Sequence, residues 1–467
     1  MSVGPSAMPA TSTAPSDRRV TGTRTRKALL VLIVVLCGVT LALGYANKAR
    51  CAGPPYDSAG RSLAFDALKN RDVCYSDIQF LWLGRGIDEH VFPYVHGGIT
   101  AGGQLFGGTV EYPVLTGVLM WAGAIGAHDD AAYLAHSALL LAGFGLITAW
   151  MLGWLSGVRA LLWSLGPPLV LYAFHNWDLP VVATTVGAVF VMAAGRGGLR
   201  TRSVIAAVLL GIGVCLKLYP GLLVAPLALY VLVGGADGRE LPASVRGRYD
   251  VRGALAAVAA AVATTVAINL PFAVAGARGW WASFTFQSDR AVDITTNSIW
   301  YWGLRPLFAD TPSAQASFQH VVDIASPLLV ILGCLLALAL GWHRFRREGS
   351  YPWIAVGGAM LCAFLLLHKV DSPQYMLWLL PFFVLVRVPW PVVTVYLLAD
   401  LSLGIGLFRY FDALQRGNGH ATGLEQLVWF GVWGRAACLV ILFVLFTVRR
   451  PAVTTAAWSR EPAASVT

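Results

Sequence analysis

From Pro113 onward the chain is a succession of apolar runs separated by short polar turns, and that pattern leaves few folds open. The runs fall near 113–127, 131–155, 160–174, 177–194, 203–216, 218–234, 253–274, 322–342, 352–367, 373–386, 390–408 and 426–447. A further run, ALLVLIVVLCGVTLALGYA, follows Arg18, Arg19, Arg24, Arg26 and Lys27. A straight span needs about 20 residues, so several runs are short for a crossing. Backbone in lipid must satisfy its own hydrogen bonds, which helices do within one segment. The chain therefore reads as an all-α polytopic membrane protein. Composition agrees, with 57% hydrophobic and 12% charged residues, about half the charge of a globular protein. A chain of 467 residues of this kind makes one integral domain rather than several soluble ones.

The formal charge of +10 does not imply nucleic acid, because the excess sits in short runs beside apolar spans, as the positive-inside rule requires. RGGLRTR, GRELPASVRGRYDVRG, HRFRRE and the tail after Arg449-Arg450 are expected in the cytoplasm. HNWD, 275–321, HKVDSPQ and 409–425 are expected outside. Counting every run as a crossing strands the last basic tail outside. Letting 113–127 re-enter or lie flat gives twelve crossings and agrees with every basic loop. The first run is expected to be an uncleaved helix rather than a signal peptide, being long for one. The resulting division is a disordered basic cytoplasmic tail (1–27), an integral membrane domain (28–448) with a first external loop (47–112), and a cytoplasmic tail (449–467). Aromatic and apolar residues in that loop (Phe65, Leu68, Tyr75, Phe80, Leu81, Trp82, Phe92, Tyr94) suit short amphipathic helices on the membrane surface. GGITAGGQLFGG reads as a flexible strap. Cys51 and Cys74 share the loop, either bridged or as free thiols.

Polar groups bordering the apolar runs stand out, because an ionisable side chain at membrane depth costs about 2.5–3.5 kcal/mol on insertion scales. Asp77, in Cys74-Tyr75-Ser76-Asp77-Ile78-Gln79-Phe80, has neighbours (Tyr75, Ile78, Phe80, Trp82) that favour a partly buried carboxylate. The other reading is a solvated loop acid, like Asp57, Asp66, Asp72, Asp88 and Glu89. His175-Asn176-Trp177-Asp178 precedes a helix starting at Leu179, which Asn176 or Asp178 would cap; four such groups exceed what a cap needs. Lys217-Leu218-Tyr219-Pro220 interrupts a 32-residue apolar stretch. It is either a hairpin with a snorkelling lysine or a helix break offering an ammonium to a phosphate. His368-Lys369-Val370-Asp371-Ser372-Pro373-Gln374-Tyr375 opens a helix at Pro373 and suits an anionic headgroup. Glu111-Tyr112-Pro113 caps the next helix or orients a sugar. Trp280, Trp281, Trp300, Tyr301 and Trp302 read as an interfacial aromatic belt, although such rings also stack on sugars. On the twelve-crossing topology these groups all face one side.

Soluble chemistry is missing from the motifs. There is no G-x-x-x-x-G-K-S/T loop, H-E-x-x-H pair, G-x-S-x-G elbow or paired C-x-x-C. A nucleotide-driven pump is excluded on that ground, and any sugar donor has to come through the membrane.

In this order, Tyr75-Ser76-Asp77, Glu111-Tyr112-Pro113-Val114-Leu115, Asn176-Trp177-Asp178, Lys217-Leu218-Tyr219-Pro220 and Ser372-Pro373-Gln374-Tyr375-Met376-Leu377-Trp378 resemble the polytopic polyprenyl-phosphate-sugar-dependent glycosyltransferases of the type C fold. Glycosyltransferase family 87, which includes actinobacterial mannosyltransferases, is the family in view, and the resemblance covers roughly residues 70–385. It implies a type C bundle of about twelve transmembrane helices in the plasma (inner) membrane, with its active site on the external face. It also implies a hexosyltransferase moving mannose from a polyprenyl-phosphate donor to a glycolipid or polysaccharide acceptor. By the same resemblance Asp77 is the first-loop general base. Asp178 matches a second external polar site that in relatives is sometimes a metal ligand. No Asp-x-Asp pair is present, so no metal ligand is assigned and no cofactor is expected, although a divalent metal stays possible. Expected to touch substrate are Glu111, Tyr112, His175, Asn176, Asp178, Lys217, Tyr219, His368, Lys369, Gln374 and Tyr375, with Lys217, His368 and Lys369 proposed for the lipid phosphate from charge and position. An arabinofuranosyltransferase of the same fold fits equally. A transporter or flippase would place polar residues through the membrane depth with internal repeats, and neither is seen. A scaffold would tolerate loss of Asp77.

Overall fold

The computed structural model describes residues 16–243, 245, 249–417 and 421–449, and those residues are mostly helical. The chain opens with α1 (Ser16–Ala49), followed by the short helices α2 (Leu63–Leu68) and α3 (Asp77–Phe80) and the strands β1 (Gly98–Ile99) and β2 (Leu105–Phe106). Then come α4 (Val114–Ala124), α5 (Asp130–Ser156), α6 (Leu161–Ser164), α7 (Pro167–Tyr172), α8 (Leu179–Ala194), α9 (Leu199–Val214) and α10 (Val224–Leu232). The remainder is α11 (Val251–Ala275), α12 (Ala277–Ser288), α13 (Pro312–Glu348), α14 (Trp353–Leu367), α15 (Met376–Leu385), α16 (Trp390–Gln415) and α17 (Thr422–Val448).

Six described segments are long and apolar enough to cross a membrane: Thr25–Ala49, Asp130–Ser164, Val251–Ala275, Pro312–Glu348, Trp390–Gln415 and Thr422–Val448. Shorter apolar helices, among them Leu179–Ala194 and Trp353–Leu367, lie between them. A nucleated helix extends at low cost into flanking residues, and α1 accordingly begins at Ser16. Residues 16–27, expected in the disordered tail, are thus helical; residues 1–15 and 450–467 of the two expected tails lie outside the described residues. The 160–174 run, expected as one helix, is broken into α6 and α7. Gly166 between them is extended, with φ −65° and ψ 133°. Pro167 and Pro168 offer no N–H and bias the residue before them away from helix.

One end of the bundle gathers basic side chains. Arg159 donates to the Val388 carbonyl at 3.2 Å, Arg449 to Arg387 at 3.0 Å, and Arg200 pairs with Asp250 at 2.6 Å. The other end carries the first loop, residues 276–311 and the turn at 368–375. Both ends of α4 lie at this second end: Leu115 N donates to the Cys215 carbonyl, and Asp130 N, at the start of α5, to that of Gly60, both at 2.9 Å. Among the described residues α4 therefore turns back. The passes are α1, α5, the α6–α7 pair, α8 to α11 and α13 to α17, which makes twelve. At the centre is α15, every residue of which is buried, as a helix apolar all round requires.

The first loop differs from the amphipathic surface helices expected of it. It is a turn-rich cap packed into the bundle, with Phe65, Trp82 and Tyr94 buried and Phe80 and Phe92 partly exposed. Cys51 and Cys74 are bridged, their Cα atoms 6.0 Å apart. Arg61 reaches the carbonyls of Gln79 and Phe80 and lies 3.4 Å from Asp130, tying the cap to α5. The glycine-rich stretch is a hairpin, not a strap: Gly98 pairs with Phe106 and Ile99 with Leu105, and Gly103, at φ +80°, makes the turn. Helix α12 lies against the same cap, because a Cβ at Gly279 would sit 2.0 Å from the Tyr94 carbonyl oxygen. The aromatic belt is also revised. Trp300 and Trp302 are buried, Trp300 donating to the Leu367 carbonyl at 2.9 Å, whereas Trp281 is exposed. A buried indole gains from a partner for its N–H, as Trp300 has in Leu367, whereas Trp302 is drawn in by packing on Tyr410 and Trp429, its Nε1 without a hydrogen-bond partner among the described residues.

Candidate active site

Asp77 opens α3, and its position follows from local chemistry. Ser76 is the extended cap residue; its hydroxyl accepts from Ile78 N at 3.2 Å and donates to the Phe174 carbonyl at 2.7 Å. Asp77 N in turn donates to the His175 carbonyl at 2.8 Å. The first-loop turn is thus stitched to the segment that follows α7, which puts Asp77 beside His175-Asn176-Trp177-Asp178.

The carboxylate of Asp77 accepts from the Tyr75 hydroxyl at 2.9 Å and from Asn176 Nδ2 at 2.6 Å. The same Asn176 nitrogen donates to the Tyr112 hydroxyl at 2.7 Å, and Asn176 Oδ1 accepts from Lys217 Nζ at 3.0 Å. The Lys217 ammonium stands 3.9 Å from the centre of the Tyr112 ring, a cation–π position. Asn176 therefore joins the carboxylate, the lysine and the tyrosine. Lys217 gets there because α9 ends at Val214 and the chain turns through a 3-10 segment, Tyr219–Leu223, before α10. Gly213 lets that turn close up, since a Cβ there would meet Pro220 at 2.9 Å. The lysine is buried rather than snorkelling.

Burial raises the Asp77 carboxyl above its ordinary value, while the bonds from Asn176 and Tyr75 and the charges of Lys217 and Arg290 pull it back down. Asp77 nevertheless keeps 18% of its side chain accessible. It is an acceptor held in protein yet open on one side, which is what a proton-abstracting group needs. His175 packs against Tyr75 and Phe408, its Nε2 3.9 Å from Asp77; burial pushes its pKa well down, so it stands as a neutral ring.

Beside this group is an aromatic wall. Trp378 donates to Asp178 Oδ1 at 2.8 Å, and its ring is stacked on Tyr375 at 3.9 Å and on Tyr219 at 4.6 Å. The Tyr219 hydroxyl bonds with Thr185. Asp178 does not cap α8 with its side chain; its Oδ2 is buried without a hydrogen-bond partner among the described residues. Gln374 is buried in the adjoining turn with Oε1 likewise unpartnered.

Three of the expected residues are engaged elsewhere. Glu111 is held by Arg85 at 2.9 and 3.3 Å. Lys369 pairs with Asp323 and donates to the Ser288 carbonyl, both at 2.9 Å. His368 stacks on Phe364, and its Nδ1 lies 3.0 Å from the Val370 carbonyl. A cation beside a free acid pairs with it more cheaply than it stays alone in a partly buried turn, and Asp323, which lies far from Lys369 in sequence, is such an acid. Among the described residues no group of three or more His, Cys, Asp or Glu gathers to hold a metal.

Two cations near Asp77 escape the sequence reading. Lys48, at the last turn of α1, is buried and donates to the Tyr75 carbonyl at 2.7 Å; in sequence it resembles any lysine ending a span. Arg290 follows α12 between Asp289 and Asp293, in a 275–321 loop whose three arginines and three aspartates cancel and so hide it. Its charge acts on Asp77, Tyr75, Tyr375 and His368, and among the described residues it has no hydrogen bond or ion pair. Its loop is nonetheless fixed: Gln287 donates to the Glu111 carbonyl, Lys369 holds Ser288, and Val292 N donates to Gln319.

Fold and site define a polytopic helical membrane protein with a carboxylate–asparagine–lysine group at the end opposite its basic loops. No family model matches the chain and no curated protein matches it. Among solved structures, the crystal structure of ArnT from Cupriavidus metallidurans bound to undecaprenyl phosphate is similar, with 14% sequence identity, a TM-score of 0.38, and coverage of 89% of this chain and 76% of that chain. At that level of likeness the site's own geometry carries the functional reading.

Proposed function

We propose that the chain is a membrane glycosyltransferase of the type C fold that moves mannose from a polyprenyl-phosphate donor to a hydroxyl of a cell-envelope glycolipid or polysaccharide, on the external face of the plasma membrane. The observation that carries this reading is the Asp77 carboxylate, partly open and fixed by Tyr75 and Asn176, within reach of the charges of Lys217 and Arg290. The acceptor oxygen attacks the anomeric carbon as Asp77 takes its proton. The bond from that carbon to the phosphate oxygen breaks, and the polyprenyl phosphate leaves as an anion. The phosphate needs positive charge rather than a general acid, and Arg290 and Lys217 supply it. A single displacement inverts the sugar. The donor's tail is apolar and needs a lipid-facing path to this end; α11 and α13, which flank the Arg290 loop, are the least covered of the six long spans, at 11% and 22% buried.

The test is transfer by purified protein in liposomes carrying polyprenyl-phosphate-mannose and a glycolipid acceptor. Inverted mannosyl product is the expected result. No product with that donor, but product with the arabinofuranose donor, replaces the sugar; hydrolysis or transfer from neither removes the reading.

Arg290→Gln removes a charge-assisted contact to the leaving phosphate, worth about 1.5–3 kcal/mol. It should lower kcat/KM for donor about 10- to 100-fold without changing acceptor KM; an unchanged donor kcat/KM would take Arg290 out of the phosphate site.

The pH profile follows from the base. Asp77 works deprotonated and its pKa is raised, so kcat/KM should climb with pH through an inflection above that of an ordinary carboxylate and be lost as pH falls through it. The stability effect has the opposite sign. A raised folded-state pKa means the fold holds this proton more tightly, so the contribution is present at low pH and lost as pH rises through the folded value. An acid limb at or below an ordinary carboxylate's pKa would show another group titrating.

A further inference from the structure

At the basic end of the bundle is a cavity of about 380 Å³ whose lining includes Arg26, Arg159, Arg387, Leu30, Trp154 and Ser156. The mechanism uses none of these residues. Arg26 and Lys48 are 22 residues apart on α1, about 33 Å at ~1.5 Å per residue. That is roughly the thickness of a bilayer's hydrocarbon core, so the cavity lies at the opposite leaflet from Asp77. Its lining contains three arginines and no carboxylate. Arg159 donates to the Val388 carbonyl at 3.2 Å, with its guanidinium 5.9 Å from the Trp390 ring; neither it nor Arg387 has a carboxylate partner among the described residues. Arg387 is close enough for its charge to act on Arg159, a repulsion that no carboxylate among the described residues is paired to offset. Arg26 lies 5.3 Å over the Trp154 ring. Ser156 Oγ is buried without a hydrogen-bond partner among the described residues, a hydroxyl waiting for an acceptor or donor. Leucine side chains wall the same cavity, and the adjoining turns of α1 expose Val31 and Leu32.

We propose that this cavity binds the phosphate headgroup of an anionic phospholipid from the leaflet on the basic side. Arg159 and Arg387 take the phosphate oxygens, Ser156 donates to one of them, and the acyl chains leave over the exposed apolar face of α1. Bidentate guanidinium donors match phosphate geometry, and basic pockets between membrane helices on this side suit such headgroups. The apolar exit is what selects a lipid over free phosphate.

The experiment uses the full chain in nanodiscs of phosphatidylcholine containing phosphatidylglycerol, with native mass spectrometry reading the lipid retained after release. Wild type should keep phosphatidylglycerol over phosphatidylcholine. Arg159→Gln/Arg387→Gln should reduce that preference about tenfold. Ser156→Phe keeps every charge, fills the space, and should reduce it too, separating a built site from general attraction to a basic surface. Millimolar inorganic phosphate should leave the retained lipid in place. Equal retention by wild type and the double variant overturns the proposal. So does full retention by Ser156→Phe, and displacement of the lipid by inorganic phosphate assigns the site to the free anion and overturns the lipid.

Discussion

Asp77→Asn is expected to lower turnover by about 10²- to 10⁴-fold, the range a positioned general base contributes, while donor and acceptor KM move less than about threefold. The substitution is nearly isosteric. Its amide oxygen still accepts from Asn176, now 2.6 Å from Asp77, and the Tyr75 hydroxyl can turn to accept from the new nitrogen. What is lost is the lone pair that, in the proposed reaction, takes the acceptor's proton. Stability should hold or rise, because a buried carboxylate is replaced by a neutral group and the raised pKa shows the charge to be costly there. The thermal transition thus separates a chemical role from a structural one. If the variant keeps more than about a tenth of wild-type kcat, the base lies elsewhere and Asp77 belongs to the scaffold of the pocket.

How much of this was legible in the sequence depends on how each residue is surrounded. Asp77, Asn176, Asp178 and Lys217 sit in or beside strongly apolar segments, where a polar side chain is costly and therefore conspicuous. The structure brings all four to one end of the bundle: Asn176 bonds both Asp77 and Lys217, and Asp178, held by Trp378, feels the charges of Lys217 and Asp77. Glu111, His368 and Lys369 stood out by the same test but are engaged by Arg85, Phe364 and Asp323. Local composition cannot tell a charge that serves a substrate from one that serves a neighbour far along the chain. Arg290 failed in the other direction, since with Arg278 and Arg305 it is balanced by Asp289, Asp293 and Asp310 and the 275–321 loop carries no net charge. The turning back of α4 was legible from the balance of basic loops. The packed cap was not, because its buried aromatics follow no helical or strand period and its order comes from a disulfide and from Arg61 reaching Asp130 of α5. The break at Gly166-Pro167-Pro168 was written plainly, and only the apolarity on either side concealed it.

Arg435 was concealed more completely, inside an apolar run, and its removal should have the largest effect on stability. It is fully buried in α17, with Asp371 at 2.9 Å and Asp400 of α16 at 3.7 Å. One guanidinium thus answers two carboxylates. Burial pushes Asp371 up to about 6 even with Arg435 pulling the other way. Arg435→Met keeps the volume and strips the positive charge from both acids. Removing one partner of a buried pair costs about 3–5 kcal/mol, mostly as the penalty of the charge left behind. We expect a large drop in thermal stability and in yield. Adding Asp371→Asn and Asp400→Asn should restore most of the stability, since no unpaired charge then remains and apolar or neutral replacements of buried ion groups are often neutral. Donor affinity should not return with it. Asp371 N donates to the Thr296 carbonyl, and the same turn leads directly to Tyr375 on Trp378. Without the Arg435 anchor the turn is free to shift against α17, and the aromatic wall beside Asp178 moves with it. The stabilised triple variant should therefore show a raised donor KM at near-normal kcat, the signature of a positioning residue rather than a catalytic one. Wild-type kinetics in that variant would confine Arg435 to holding α16 and α17 together.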